Sequence, residues 1–309
     1  MKTYPAIWIT TLMVTALIAE CRANINGTDD FNDNSNDPAL WGADLVAGGQ
    51  LTEANGRLEY TTSGVPTGND VAVRPWILNF GSSTQNWEIQ IDVSVPQSPF
   101  KGISLPLVVF PGTDLNMLFA NRFSVELNQF QDNGNQLKFQ SAVSANSSES
   151  VVGRVVTAST TAALRIAFDA NTKILSAYYD ENGPVCGYSW TLLGATNVPT
   201  AWNMTSSSVF GVAVAGSSQV GSVVSADNVF GDNFFATSGN NPKLNIALIG
   251  SKVVLAWATN GPAVHLESTG LLTPSICWQV VADTVAVVST NFTVTNTISS
   301  GSAFFRLSR

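Results

Sequence analysis

The run NWEIQIDVSV, residues 86–95, sets Trp87, Ile89, Ile91, Val93 and Val95 at one parity and Glu88, Gln90, Asp92 and Ser94 at the other. Strict period-two alternation marks a strand with one face in a core and the other in water. ALRIAFDANTKILSAYYDENG reads as a hairpin: Leu164, Ile166 and Phe168 alternate before a polar DANTK turn, and Ile174, Ser176 and Tyr178 alternate on the return. SSVFGVAVAGSS and DNVFGDNFFATSG are further strands of the same kind. Helical periodicity is nowhere sustained over a dozen residues, and only TDLNMLFANR suits a short helical turn. Many short strands with frequent turn signals predict an all-β sandwich or jelly roll.

The pattern breaks at ATSGNNPKL, residues 236–244, where small and polar residues with a proline lie between apolar runs. Beyond it LNIALIGSKVVLAWA, AVHLEST, CWQVV, TVAVV, NFTVTN and AFFRLS read as short strands of a small second β-sandwich. The domain plan is therefore 24–238, a linker at 239–243, and 244–309. Residues 1–23 are read apart from the fold. A positive MK, an apolar run from Ala6 to Ala19 and the small residues of CRA predict a signal peptide cleaved after Ala23. The rival is lipidation at Cys21 in LIAEC, which Glu20 fits poorly. Either way the mature chain is expected to be secreted or to lie at the cell surface or in the periplasm.

Composition narrows the chemistry. Only 12% of the 309 residues are charged, 45% are hydrophobic, and the net charge is −8 without any basic run, which excludes nucleic acid as a partner. No later segment is long and apolar enough for a membrane span. Cys186 and Cys277 fall in different domains, leaving two readings: separate buried thiols, or an interdomain disulfide. The single histidine, His265, rules out a serine triad or a multi-histidine zinc site and is read as structural. No nucleotide loop or nucleophile elbow occurs.

DDFNDNSNDPALWG, LTEANGRLEY, RPWILNF, NWEIQIDVSV and DNVFGDNFFATSG together resemble a concanavalin A-like lectin/glucanase (LamG-like) jelly roll of exported bacterial, Verrucomicrobia-type proteins, over about residues 28–238. The tail resembles a truncated fibronectin type III-like module. The resemblance implies that the first and last strands of the jelly roll lie side by side, bringing DDF close to DNFF. It also implies a structural calcium for which Asp29, Asp30 and Asp232 would supply oxygens. The alternative for DDFNDNSNDPALWG has Phe31 and Trp41 packed inward and the Asp and Asn side chains closing turns. An EF-hand is excluded, since Ser35 stands where its glycine belongs and Trp41 where its glutamate belongs.

The glucanase motif of that family, E-x-D-x-x-E, has no match. In WEIQID, Glu88 and Asp92 lie about 13 Å apart between Cα atoms on an extended strand, with Gln90 between them. Glycosidase carboxyls stand about 5 to 9.5 Å apart. Glu126 and Asp132 in SVELNQFQD match no better. Non-catalytic glycan or extracellular-matrix binding leads, on aromatic faces drawn from Trp76, Tyr178, Tyr179, Tyr188, Trp190 and Trp202. A structural or adhesive surface protein is the alternative, and a glucanase-like hydrolase the third reading.

Overall fold

The computed structural model describes residues 25–97, 102–129, 136–183, 187–239, 243–259, 264–270, 277–297 and 303–308. The large unit opens with β1 (Gly27–Asp29), β2 (Leu45–Ala47), β3 (Gly49–Ala54), β4 (Arg57–Thr62), β5 (Asp70–Ser82) and β6 (Trp87–Ser94). β7 (Ile103–Ser104) and β8 (Leu107–Pro111) lead into a single-turn helix, α1 (Met117–Ala120), at the place where the sequence suits one. β9 (Arg122–Gln129), β10 (Lys138–Ala145), β11 (Ser148–Val156), β12 (Thr161–Asp169) and β13 (Ile174–Asp180) follow. β14 (Thr191–Asn197), β15 (Val209–Ser218) and β16 (Val229–Ser238) complete the unit.

These strands form two antiparallel sheets. The terminal sheet has the order β14-β13-β12-β6-β16-β4-β3, with β1 also paired to β16. The groove sheet has the order β11-β10-β9-β7-β15-β5-β2, with β8 between β15 and β9. The architecture is all-β, a jelly-roll β-sandwich whose first and last strands are neighbours. Gly27, Thr28 and Asp29 face Ala236, Phe235 and Phe234 in register.

The alternation read from the sequence sets the layers. Trp87, Ile89, Ile91 and Val93 of β6 are buried against Phe123, Val125 and Leu127 of β9 in one core cluster. Gly153 and Leu193 show how tightly the sandwich closes at one edge. A Cβ on Gly153 would come within 2.0 Å of the Leu193 carbonyl oxygen, so only glycine lets β11 approach β14. At another edge Arg74 of β5 is buried and crosses to β3. Its Nη1 donates to Glu53 at 2.9 Å, and Nε and Nη2 donate to Asp44 at 2.8 and 3.0 Å.

The tail comprises β17 (Asn245–Ile249), β18 (Lys252–Ala258), β19 (His265–Thr269), β20 (Gln279–Val280), β21 (Ala286–Val288), β22 (Asn291–Thr297) and β23 (Phe304–Ser308). They make two small sheets, β17-β18-β22-β21 and β20-β19-β23, around Leu255, Trp257, Leu266 and Val294. His265 hydrogen-bonds Glu267 at 3.1 Å beside Arg306. Arg306 Nε donates to Glu267 at 2.7 Å, and its Nη1 donates to the backbone oxygen of Tyr188 in the large unit. Cys277 is disulfide-bonded, which overturns the reading of two separate thiols. Cys186, like residues 1–23 that read as a signal peptide, Asp132 and most of the stretch 239–243 that reads as a linker, lies outside the described residues. Among the described residues no helix is long and apolar enough to cross a membrane.

Candidate functional site

Side chains of the groove sheet that point away from the core line a depression of about 230 Å³. On β9 the parity that buries Val125 and Leu127 turns Ser124 and Glu126 outward, and Gln140 of β10 stands directly opposite Glu126. Arg154 of β11 is the next partner of Gln140 in the same row. These three side chains bond in sequence. Arg154 Nε donates to Gln140 Oε1 at 2.8 Å, Gln140 Nε2 donates to Glu126 Oε1 at 3.4 Å, and Asn128 Nδ2 donates to that oxygen at 2.7 Å.

The opposite side of the depression is apolar. Val73, Val108 and Ala215 form a second buried cluster under Leu118 of α1, and Phe119 stands 49% exposed at the rim. The one-turn helix is therefore a wall of the groove. Arg122 and Glu149 form an ion pair at the rim on the polar side. Protein surrounds Glu126 although the groove reaches it, and this desolvation pushes its carboxyl above the usual range. Hydrogen bonds from Asn128 and Ser104 oppose the shift, and the Glu149 charge adds to it. The result is a wall of amides and carboxyls facing an aliphatic wall, able to give and accept hydrogen bonds while packing on an apolar surface.

The aromatics expected at a ligand site divide. Trp76 is 1% exposed and packs against Trp41 and Phe234, and Trp202 is 4% exposed with its indole N–H on the Ser144 backbone oxygen. Both belong to the core, because their strand parity or turn points them between the sheets. Tyr179 stacks on buried Phe139 with ring centres 4.3 Å apart and joins that core from its edge. Tyr178, Tyr188 and Trp190 remain, all half-buried, and they lie together on the terminal sheet, away from the groove.

The carboxylates also differ from expectation. Asp92 is 9% exposed rather than solvated, and accepts hydrogen bonds from Asn233 at 2.9 Å and Tyr188 at 3.2 Å. Burial pushes its pKa up to about 6, aided by the nearby Asp232 and Asp180 charges. Glu88 instead faces Arg165, 3.5 Å away, so Glu88 and Asp92 belong to separate networks. Asp29, Asp30 and Asp232 approach through the β1–β16 pairing, closely enough for Asp30 and Asp29 to raise the Asp232 pKa after burial does so. Among the described residues no three acidic, histidine or cysteine groups converge as ligands. Asp29 and Asp30 accept the backbone N–H groups of Phe31 and Asn32, at 2.8 and 3.2 Å, and Asp33 and Asp37 close turns in the same way. The acidic opening stretch is a chain of side-chain-closed turns carrying Phe31 and Trp41 inward.

No family model and no curated protein matches this sequence. Solved structures do. The Emp46p carbohydrate recognition domain in its potassium-bound form is 12% identical over 69% of this chain and 96% of its own, with a TM-score of 0.47. Lectin II from Ulex europaeus is 11% identical over 71% of this chain and 100% of its own, also at 0.47. A GH43 glycoside hydrolase is 13% identical over 69% of this chain and 40% of its own, at 0.44. At such identities and TM-scores no role carries over to this chain, and the site has to speak through its own residues.

Proposed function

We propose that this is an exported carbohydrate-binding protein that holds a saccharide, without cleaving it, in the groove between the Ser124–Glu126–Gln140 wall and the Val73–Val108–Phe119 wall. One observation carries the reading: a hydrogen-bonded amide and carboxyl row faces an aliphatic and aromatic wall across one small depression. A pyranose presents those same two characters, hydroxyls that donate and accept around its edge and C–H groups on its faces. The groove is small, which favours one sugar unit or the end of a chain. The tail, read as a fibronectin type III-like module, is a spacer in this scheme, and extracellular-matrix glycans are among the ligands that fit.

Calorimetric titration of the full chain with a panel of monosaccharides and short neutral oligosaccharides tests this. Gln140→Ala is expected to weaken the responding sugar at least about tenfold, the loss of one or two buried hydrogen bonds. Failure of every saccharide on a broad glycan array would leave the structural or adhesive reading in its place. Hydrolysis has one observation in its favour: Glu126, with its raised pKa, and Glu149, paired with Arg122, line the same groove. Release of reducing ends from laminarin, xyloglucan, agarose or mixed-linkage glucan, abolished by Glu126→Gln, would make that the function instead.

A further inference from the structure

The terminal sheet carries an unexplained surface of its own. Arg165 of β12 stands opposite Tyr178 of β13 and Gln90 of β6 on the outward parity. Its guanidinium lies 4.7 Å from the centre of the Tyr178 ring and 5.2 Å from that of Trp190. Trp190 in turn stacks on Tyr188, with ring centres 5.2 Å apart and planes inclined by 16°. Tyr188, Trp190, Arg165 and Tyr178 thus form a continuous row of flat groups, none of them fully buried. Beside the row opens a cavity of about 410 Å³ that Glu88, Arg165, Ser176 and Tyr178 share with Asn86 and Asp169.

A row of rings covering a sheet needs no ligand, but two details go beyond cover. Arg165 both lies over the rings and lines the cavity, so the row and the cavity form one continuous surface. The charges are also balanced, because Arg165 is 3.5 Å from Glu88. With Asp169 on the same wall, a carboxylated or sulfated ligand would meet repulsion rather than a net cation.

We propose that this face is a second carbohydrate site, for a neutral pyranose chain, with one sugar face on the Trp190–Tyr178 row and its hydroxyls on the polar groups of the adjoining cavity. Trp190, Tyr188 and Tyr178 supply flat apolar area at small entropic cost. Glu88, Ser176 and Asn86 line the adjoining cavity with polar groups for those hydroxyls. The two sites lie on opposite faces of the sandwich, so one protein engages two glycan chains, or two stretches of a single chain, and gains avidity. The assignment rests on residues separate from those of the Glu126 groove and stands whether or not that groove binds sugar.

Affinity electrophoresis through gels containing laminarin, xyloglucan, agarose or mixed-linkage glucan tests it on the full chain. Wild type is expected to be retarded by at least one of these neutral polymers. Trp190→Ala should weaken that retardation about tenfold or more, and Trp190→Phe should restore most of it. Gln140→Ala, in the other groove, should leave this component in place. A measurement without mutation guards against misfolding of the alanine variant: the same polymer should protect Trp190 from N-bromosuccinimide oxidation in wild type, read by peptide mapping. No retardation of wild type by any of the four polymers, or Trp190→Ala retarded like wild type with Trp190 unprotected, overturns the assignment.

Discussion

Asp29 Oδ2 accepts the indole N–H of Trp41 at 2.6 Å, while its Oδ1 accepts the backbone N–H of Phe31 at 2.8 Å. One carboxylate at the end of β1 thereby fixes both aromatic anchors of the stretch that follows. Phe31 and Trp41 are buried and stack on each other with ring centres 5.9 Å apart. Asp29→Ala strands a buried indole N–H and releases the turn, so unfolding free energy should fall by about 1–3 kcal/mol. Asp29→Asn keeps an acceptor and should cost less. Urea melts of the three proteins decide it, and equal midpoints would show that the contact contributes nothing.

Calcium should make little difference to stability. Both Asp29 oxygens are engaged, and Asp30 and Asp232 each accept a neighbouring backbone N–H. Chelator is expected to move the melting temperature by less than about 2 °C, the equivalent of under ~1 kcal/mol. An ion held at a hundredfold excess over its Kd would contribute about 2.7 kcal/mol. A drop of roughly 5–10 °C in chelator, with calcium found by metal analysis, would restore the metal site.

Acid should favour the fold over a range where many proteins gain nothing from it. Burial, reinforced by the Asp29 charge, pushes Glu53 up to about 7 despite Arg74, and burial pushes Asp92 up to about 6. A carboxyl whose folded pKa is raised binds its proton more tightly when folded. Its contribution is full below the unfolded values of 4.5 and 3.8 and is lost as pH rises through about 6 to 7. Asp169 works the other way: the Asn171 N–H lowers its pKa, and its contribution is lost as pH falls below the ordinary value of 3.8. The melting temperature should therefore decline from pH 5 to pH 8, and Glu53→Gln should flatten that decline. Parallel curves for the two proteins would refute the role of Glu53.

The disulfide at Cys277 should join the tail to the large unit. Gly187 is so near the tail that a Cβ there would come within 2.8 Å of Arg306 Nη2 and 3.5 Å of Glu267 Oε1. Non-reducing peptide mapping is expected to recover Cys277 linked to Cys186, the neighbour of Gly187 in sequence. Recovery of both as free thiols would contradict the bonded state of Cys277. Reduction is expected to make the tail markedly more susceptible to limited proteolysis, since the remaining ties include one polar bond from Arg306 to Tyr188.

Much of this fold was legible because period two leaves little freedom. NWEIQIDVSV and ALRIAFD became β6 and β12 with the expected faces inside. The groove was harder to see. Ser124, Glu126 and Asn128 alternate visibly with Val125 and Leu127, yet their partners Gln140 and Arg154 come from other strands, and only pairing aligns them. The nearest following acid in SVELNQFQD is Asp132, whereas the acid that shares the groove with Glu126 is Glu149, which arrives from β11. Trp76 misled for a different reason. Its inward parity includes Arg74, which looks solvent-facing in the sequence but is buried through its bonds to Asp44 and Glu53. Trp202 sits in a 3-10 turn, where no period exists to read.

The pairing of β1 with β16 has a mechanical side. The strands run antiparallel, with Gly27 opposite Ala236, so the chain enters β1 and leaves β16 at the same end of the sandwich. Ser238 N donates to Asn26 Oδ1 at 2.8 Å where the two paths meet. With the Cys277 disulfide reduced, tension between the segment before β1 and the tail after β16 would load that bond first, then Gly27 and Thr28 in turn. Such loading peels a ladder one rung at a time instead of shearing all rungs together. Under flow or traction the reduced protein should yield by fraying at this seam at low force, while the groove sheet, which carries neither end, keeps its shape longest.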